Sequence, residues 1–242
     1  MTSHTVRGQR VDMPVQIRQA SAFAATYNVS AAAAQTVIAY SGLEVLRLFP
    51  GRAVCTLVFV DYVDGDLGPY NEFGVAFLVR DPVKRPKLLG DVRAVLGGGA
   101  GVFIHRLPVD GEFTMAAGRE IWGFPKELAE FETDSYAGGR RGILRKDGQL
   151  IVDLHVQQGV RLPGSGMNTS LDAFTSLAGV TRRTQWLMSP AGVRSRPGGA
   201  RLSLGEHPWA RELATLGLPR RAMLTSVIPE LRMTFEDATP VR

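Results

Sequence analysis

The sequence predicts a mainly β (α+β) chain, a closed or nearly closed antiparallel sheet with a few short helices. Three observations predict it. Apolar, β-branched runs of strand length recur along the chain, as in "RAVCTLVFVDYV" (52–63) and "QLIVDLHV" (149–156). Turn residues punctuate them, and helical spacing is confined to a few short stretches. The 242 residues suffice for one full core and read as a single domain, 1–242.

Each element follows from local chemistry. Residues 1–20 read as extended chain. Ser30 precedes an alanine-rich run as a helix N-cap, and Gly42 supplies its stop. The runs 52–63 and 73–80 form a hairpin across the turn-rich stretch "DGDLGPYNE" (64–72). A polar loop follows at 81–87, and "GGGAG" (97–101) is a flexible turn before a strand at 102–107. Its spacing fails the dinucleotide fingerprint at Val102. Residues 112–121 make a short helix, which Gly123 and Pro125 end. Strands follow at 127–134, 142–146 and 149–156, the last two joined by the two-residue turn Asp147-Gly148. Later strands are expected at 181–190, 198–206 and 227–237, with a short helix at 207–217.

Composition excludes several functions. A hydrophobic share of 45% with 21% charged residues belongs to a folded globule, not to a disordered chain. The lone Cys55 permits no intrachain disulfide and lies in an apolar run, as a buried small hydrophobe would. No stretch reaches the ~18 apolar residues of a membrane span, and "MTSHTVRGQRVDMPV" has no apolar signal region. A cytoplasmic protein is expected, with no membrane partner, so the sequons at Asn28 and Asn168 carry no meaning. The net charge of +5 is spread over scattered arginines without interleaved aromatics, which argues against nucleic acid as a partner. The four histidines lack ligand spacing, so no metal site and no cofactor are expected.

One residue stands out. Of 28 basic residues only four are lysines, and one of them, Lys126, lies in "GREIWGFPKELAEF" (118–131). A lysine amine attacks a carbonyl only when unprotonated, and its ordinary pKa of about 10.4 leaves little of it neutral at pH 7. Burial among apolar groups disfavours the ammonium. Arginine cannot substitute, because it stays charged and forms no imine. Lys126 beside Trp122, Phe124 and Leu128 is therefore consistent with a Schiff-base role, although on composition alone a snorkelling surface lysine is the favoured reading.

The segment "GREIWGFPK" resembles the active-site segment of the acetoacetate decarboxylase family. "GPYNEFGVAF" (68–77), "RLSLGEHPWARELATLGLP" (201–219) and, more loosely, "IRQASAFAATYNVSAAAAQTVI" (17–38) resemble further family segments in the same order. The resemblance implies a cone-like antiparallel β-barrel around an apolar cavity, and a homo-oligomer. It makes Lys126 the imine-forming nucleophile, Glu72 a cavity carboxylate and Arg18 a second polar cavity group. Trp122 and Phe124 read as pocket wall or core, and Tyr70 as a pocket hydroxyl or a core-edge tyrosine. The reaction expected is cofactor-independent carbon–carbon lysis of a small oxo (β-keto) acid through an imine and enamine. Aldol-type or dehydratase chemistry, or a ligand-binding barrel without catalysis, are the alternatives. Taken alone, Glu72 reads as a turn residue, and Arg18 fits a surface ion pair as well as a clamp on Glu72 or on substrate. Arg119 and Glu120 read as a structural pair across the helix end.

Two positions depart from the family pattern. Glu127 stands where the prototype has a second lysine, and Leu57 aligns with a prototype acid. A carboxylate beside the amine would favour the ammonium. If Lys126 and Glu127 open a strand, however, their side chains point to opposite faces.

Overall fold

The computed structural model describes residues 2–83, 100–162 and 168–241. The chain opens on a small hairpin, β1 (Ser3–Val6) and β2 (Gln9–Asp12), and enters the long strand β3 (Val15–Ser30). Ser30 caps the helix Ala31–Ile38 by accepting from the Ala33 N–H, and Gly42, at φ 70°, ends the turn that follows. The hairpin β4 (Arg52–Gly65) and β5 (Tyr70–Arg80) comes next, then β6 (Ala100–Arg106). The readings at 84–87 and 97–99 lie outside the described residues.

The β4–β5 connection is shorter than the turn residues suggest. Strand β5 already begins at Tyr70, and Tyr70, Asn71 and Glu72 pair with Tyr62, Asp61 and Val60. Glu72 is therefore a strand residue, not a turn residue, and its direction is fixed by the two-residue period of the strand.

After the helix Glu112–Ala117 come β7 (Glu130–Tyr136), β8 (Gly139–Lys146), β9 (Gln149–Gln157) and β10 (Val160–Arg161). Asp147 and Gly148 both adopt positive φ and close the β8–β9 turn. Strands β11 (Thr169–Leu177), β12 (Val180–Ala191), β13 (Arg194–Arg196) and β14 (Ala200–Leu204) lead to the helix Pro208–Thr215. Strands β15 (Leu224–Phe235) and β16 (Thr239–Pro240) end the described chain. Strand β11 is absent from the sequence reading: "TSLDAFTSL" mixes polar and apolar residues without clean alternation.

The large sheet runs β15-β3-β4-β5-β6-β11-β12, and β12 pairs back onto β15 to close a seven-stranded barrel. All pairings in this ring are antiparallel except β6–β11, which is parallel. The exception follows from connectivity. The chain leaves β6, builds β7 to β9 in a second sheet and β10 beyond the ring, and returns to the ring only at β11, the long crossover that parallel pairing needs. Strands β14-β9-β8-β7 form a second sheet.

Alternation divides the side chains of the β4–β5 hairpin between two apolar cores. Cys55, Leu57, Phe59, Phe73, Val75 and Phe77 pack with the second sheet, through Leu144, Val152 and Leu154. Burial pushes the Cys55 thiol up to about 12, so it stays an inert hydrophobe at neutral pH. The opposite face gives Tyr62, Tyr70 and Ala76 to the core that holds Trp122, Phe124 and Phe235. Glu72 shares the parity of Tyr70 and is thereby turned into this second core.

Candidate active site

The helix Glu112–Ala117 widens into a π-helical turn over Gly118–Trp122. Gly123 stops it at φ 66°, a left-handed conformation that glycine adopts without strain. The Phe124 N–H returns to the Gly118 carbonyl at 2.9 Å, and the Lys126 N–H to the Phe124 carbonyl at 2.8 Å. Arg119 does not take the expected pairing with Glu120: its guanidinium donates to the Lys126 carbonyl at 2.8 Å. The Val109 N–H donates to the Glu127 carbonyl at 2.9 Å. These bonds fix the backbone on both sides of Lys126 and aim its side chain inward.

The Lys126 side chain is 3% exposed, and its Nζ lies 2.9 Å from Glu72 Oε2. Tyr62 donates its hydroxyl to the other oxygen of Glu72 at 2.9 Å. Tyr62 stacks on Tyr70 at 4.2 Å, and Nζ sits 4.8 Å from the centre of the Tyr70 ring. Burial, then the nearby Glu72 charge, push the Tyr62 and Tyr70 hydroxyls well above the usual phenol range. Both therefore remain protonated, and Tyr62 acts as a hydrogen-bond donor to Glu72.

Around the ion pair stand Leu67, Leu107, Trp122, Phe124, Trp186 and Phe235, which close tightly on a cavity of about 10 Å³. That is room for about one water, far below the ~300–1,000 Å³ of cavities that take drug-sized ligands, so a substrate must part these side chains to enter. Trp122 stacks on Phe124, and Trp186 packs against both Phe124 and Phe235. Leu128, next to the lysine in sequence, faces solvent. A larger groove lined by Gln16, Arg18, Asn168, Ser189 and Arg232 is open to solvent and shares no residue with this cavity. Volume alone would point to that groove. The buried, paired ionisable groups point to the cavity instead.

A buried lysine paired with a glutamate, in an aromatic cavity of a closed barrel, suits carbonyl chemistry. The sequence matches the profile of the acetoacetate decarboxylase family over residues 1–239. The chain belongs to the acetoacetate decarboxylase family.

Solved structures share the fold of this family member. An acetoacetate decarboxylase from Legionella pneumophila superposes with a TM-score of 0.69 at 20% identity, covering 95% of this chain and 87% of that one. The enduracididine biosynthesis enzyme MppR, solved with pyruvate, gives 0.66 at 15% identity over 95% and 91%. An acetoacetate decarboxylase-like enzyme from Sphingomonas wittichii RW1 gives 0.64 at 13% identity over 96% and 94%. A search of curated proteins finds no significant match.

Three expectations drawn from the family pattern need revision or sharpening. Arg18 is not a cavity group. It is half exposed and binds Asp64 through both Nε and Nη2, and Asp66 through Nη1. The cause is a β-bulge: Ile17 pairs with Gly65 and Gln19 with Asp64, and Arg18 is skipped. Counting by twos from the buried Ala20 and Ala22 would turn Arg18 inward, and the bulge turns it out. Arg18→Ala is accordingly expected to leave turnover unchanged and Tm within about 2 °C, checked by steady-state rates and thermal denaturation.

Leu57 is fully buried in the other core, so its difference from the prototype bears on packing and not on the Lys126 cavity. Glu127 does point away from the cavity, although strand β7 begins only at Glu130. Its carboxylate pairs with Lys146 and lies 3.9 Å from Arg106.

The sequence reading missed Tyr62, Leu67, Leu107, Trp186 and Phe235. A signal for Tyr62 was present, because a hairpin that places Tyr70 inward places its cross-strand partner Tyr62 on the same face. Trp186 and Phe235 meet across the β12–β15 seam that closes the barrel, and no local pattern announces that pairing.

Proposed function

We propose that this chain decarboxylates a small β-oxo acid through an imine on Lys126. The observation that carries the proposal is the buried Lys126–Glu72 pair in an aromatic-walled cavity. Transfer of one proton from the ammonium to the Glu72 carboxylate turns an ion pair into a neutral pair without changing the charge of the cavity. The free amine then attacks the ketone carbon. One proton of the attacking nitrogen and the proton held by Glu72 pass to the departing oxygen, which leaves as water, and the resulting iminium again faces a carboxylate. Scission of the bond to the substrate carboxylate sends its electron pair to the iminium nitrogen, giving carbon dioxide and an enamine. Protonation of the enamine carbon and hydrolysis release the ketone and restore the amine.

Two features favour decarboxylation. Among the described residues no arginine lines the cavity, so no guanidinium stabilises the substrate carboxylate in its ground state. The confined volume favours short substrates. A condensation or retro-aldol reaction is the second reading. It is motivated by MppR, a structure of which holds the condensation product of pyruvate and imidazole 4-carboxaldehyde. The same iminium would accept electrons from a different C–C bond.

Borohydride tests the imine. Hydride addition to its carbon, with a proton to nitrogen, leaves a stable secondary amine. Treatment with acetoacetate and borohydride is expected to add the mass of the reduced adduct to the peptide that contains Lys126, with CO₂ evolved when borohydride is omitted. Labelling without CO₂ would favour condensation chemistry, and no labelling with any oxo acid would overturn the imine.

A further inference from the structure

We infer that the indole N–H of Trp186 is the donor that receives the substrate carboxylate. The inference rests on the function proposed for Lys126 and adds a recognition group to the same cavity. Trp186 lines the cavity on the side of Phe124 and Phe235, and its Nε1 is buried without a hydrogen-bond partner. A buried donor without an acceptor is destabilising, and native proteins rarely leave one so.

The other donors of the wall are committed. Trp122 Nε1 donates to the Glu236 carbonyl at 2.8 Å. The Tyr62 hydroxyl and the Lys126 amine are both on Glu72. The Tyr70 hydroxyl is in hydrogen-bond contact with that of Tyr62, and the remaining wall is apolar: Leu67, Leu107, Phe124 and Phe235. An oxo acid entering this space brings two oxygen groups. Its ketone oxygen must lie by Lys126 and Glu72, where it is lost as water. Its carboxylate persists through the imine and needs a different partner, and the Trp186 N–H is the donor in the wall left without one. A single neutral donor also suits the chemistry. It orients the carboxylate without the ion pairing that would hold its charge against C–C scission.

Two measurements test this, with acetoacetate as the carboxylate probe and acetone as the ketone without one. Trp186→Phe keeps an aromatic ring against Phe124 and Phe235 and deletes the N–H. The concentration of acetoacetate that half-saturates borohydride labelling at Lys126 is expected to rise about tenfold or more. The value for acetone is expected to stay unchanged. Equal values for acetoacetate in both proteins, or equal shifts for both probes, would overturn the inference.

The second measurement needs no imine and no stable variant. In the wild-type protein, the indole ¹⁵N–¹H resonance of Trp186 is expected to move downfield with acetoacetate and not with acetone. No movement overturns the indole contact. Movement without any borohydride labelling overturns the imine and leaves the contact standing.

Discussion

Lys126→Met is expected to abolish substrate-dependent borohydride labelling and to lower turnover by roughly 10³-fold or more, since among the described residues no other amine faces Glu72. It is also expected to cost stability. The carboxylate of Glu72 is buried, with its side chain 6% exposed, and the amine is its only cationic partner among the described residues. Removing one member of such a pair strands the other, at about 3–5 kcal/mol. For a chain of this size that lowers Tm by on the order of 10 °C. The double variant Lys126→Met/Glu72→Gln should recover most of the lost Tm and none of the activity, because a neutral amide can still accept the Tyr62 hydroxyl. Thermal denaturation and mass spectrometry separate the two effects. A Lys126→Met protein that is still labelled and still active would refute the nucleophile, and one with unchanged Tm would show that the pair is not buried as described.

Gly118→Ala is expected to lower kcat by about 10²-fold. An added Cβ would lie 2.5 Å from Lys126 Cδ and 2.7 Å from Cε. The stem cannot swing aside freely. Its backbone end is held by Arg119, and its amine by Glu72. A displacement of about 1 Å at a reacting nitrogen costs on the order of 10²-fold in rate. Two opposing terms set the stability change. Alanine in a helix is favoured over glycine by about 1 kcal/mol, and overpacking a close-packed core costs about 1–3 kcal/mol. With the clash falling on a stem fixed at both ends, overpacking wins, and modest destabilisation is expected. Stopped-flow labelling and thermal denaturation check both signs. Wild-type kcat in Gly118→Ala would mean that the lysine has room to spare and that its placement is not set by this glycine.

Much of the fold was legible because its signals are local. A serine before an alanine run caps a helix, Asp-Gly turns a hairpin, and β-branched runs make strands. Local chemistry by itself leaves Lys126 a snorkelling surface lysine, and it is the resemblance of "GREIWGFPK" to the family's active-site segment that marks it. Glu72 shows where local reading falls short. Its turn-like neighbours Gly68 and Pro69 suggest a wet loop, yet cross-strand pairing with Val60 draws it into the sheet. Arg18 shows the reverse error, for one skipped residue in the β3–β4 ladder reverses its face. A bulge is an outcome of pairing between strands, and neither strand carries it alone.

By itself the sequence determined the strand-rich composition, the hairpins, the helix stops and a lysine placed where an apolar setting can form. Only the tertiary structure decided which strands meet: the parallel β6–β11 junction, the β12–β15 seam and the wall of Trp186 and Phe235. It also decided that Glu127 looks out to Lys146 while Lys126 looks in to Glu72. The physical reason is range. Backbone propensity and side-chain parity act over a few residues, whereas barrel closure and the burial of one ion pair depend on segments about forty to seventy residues apart.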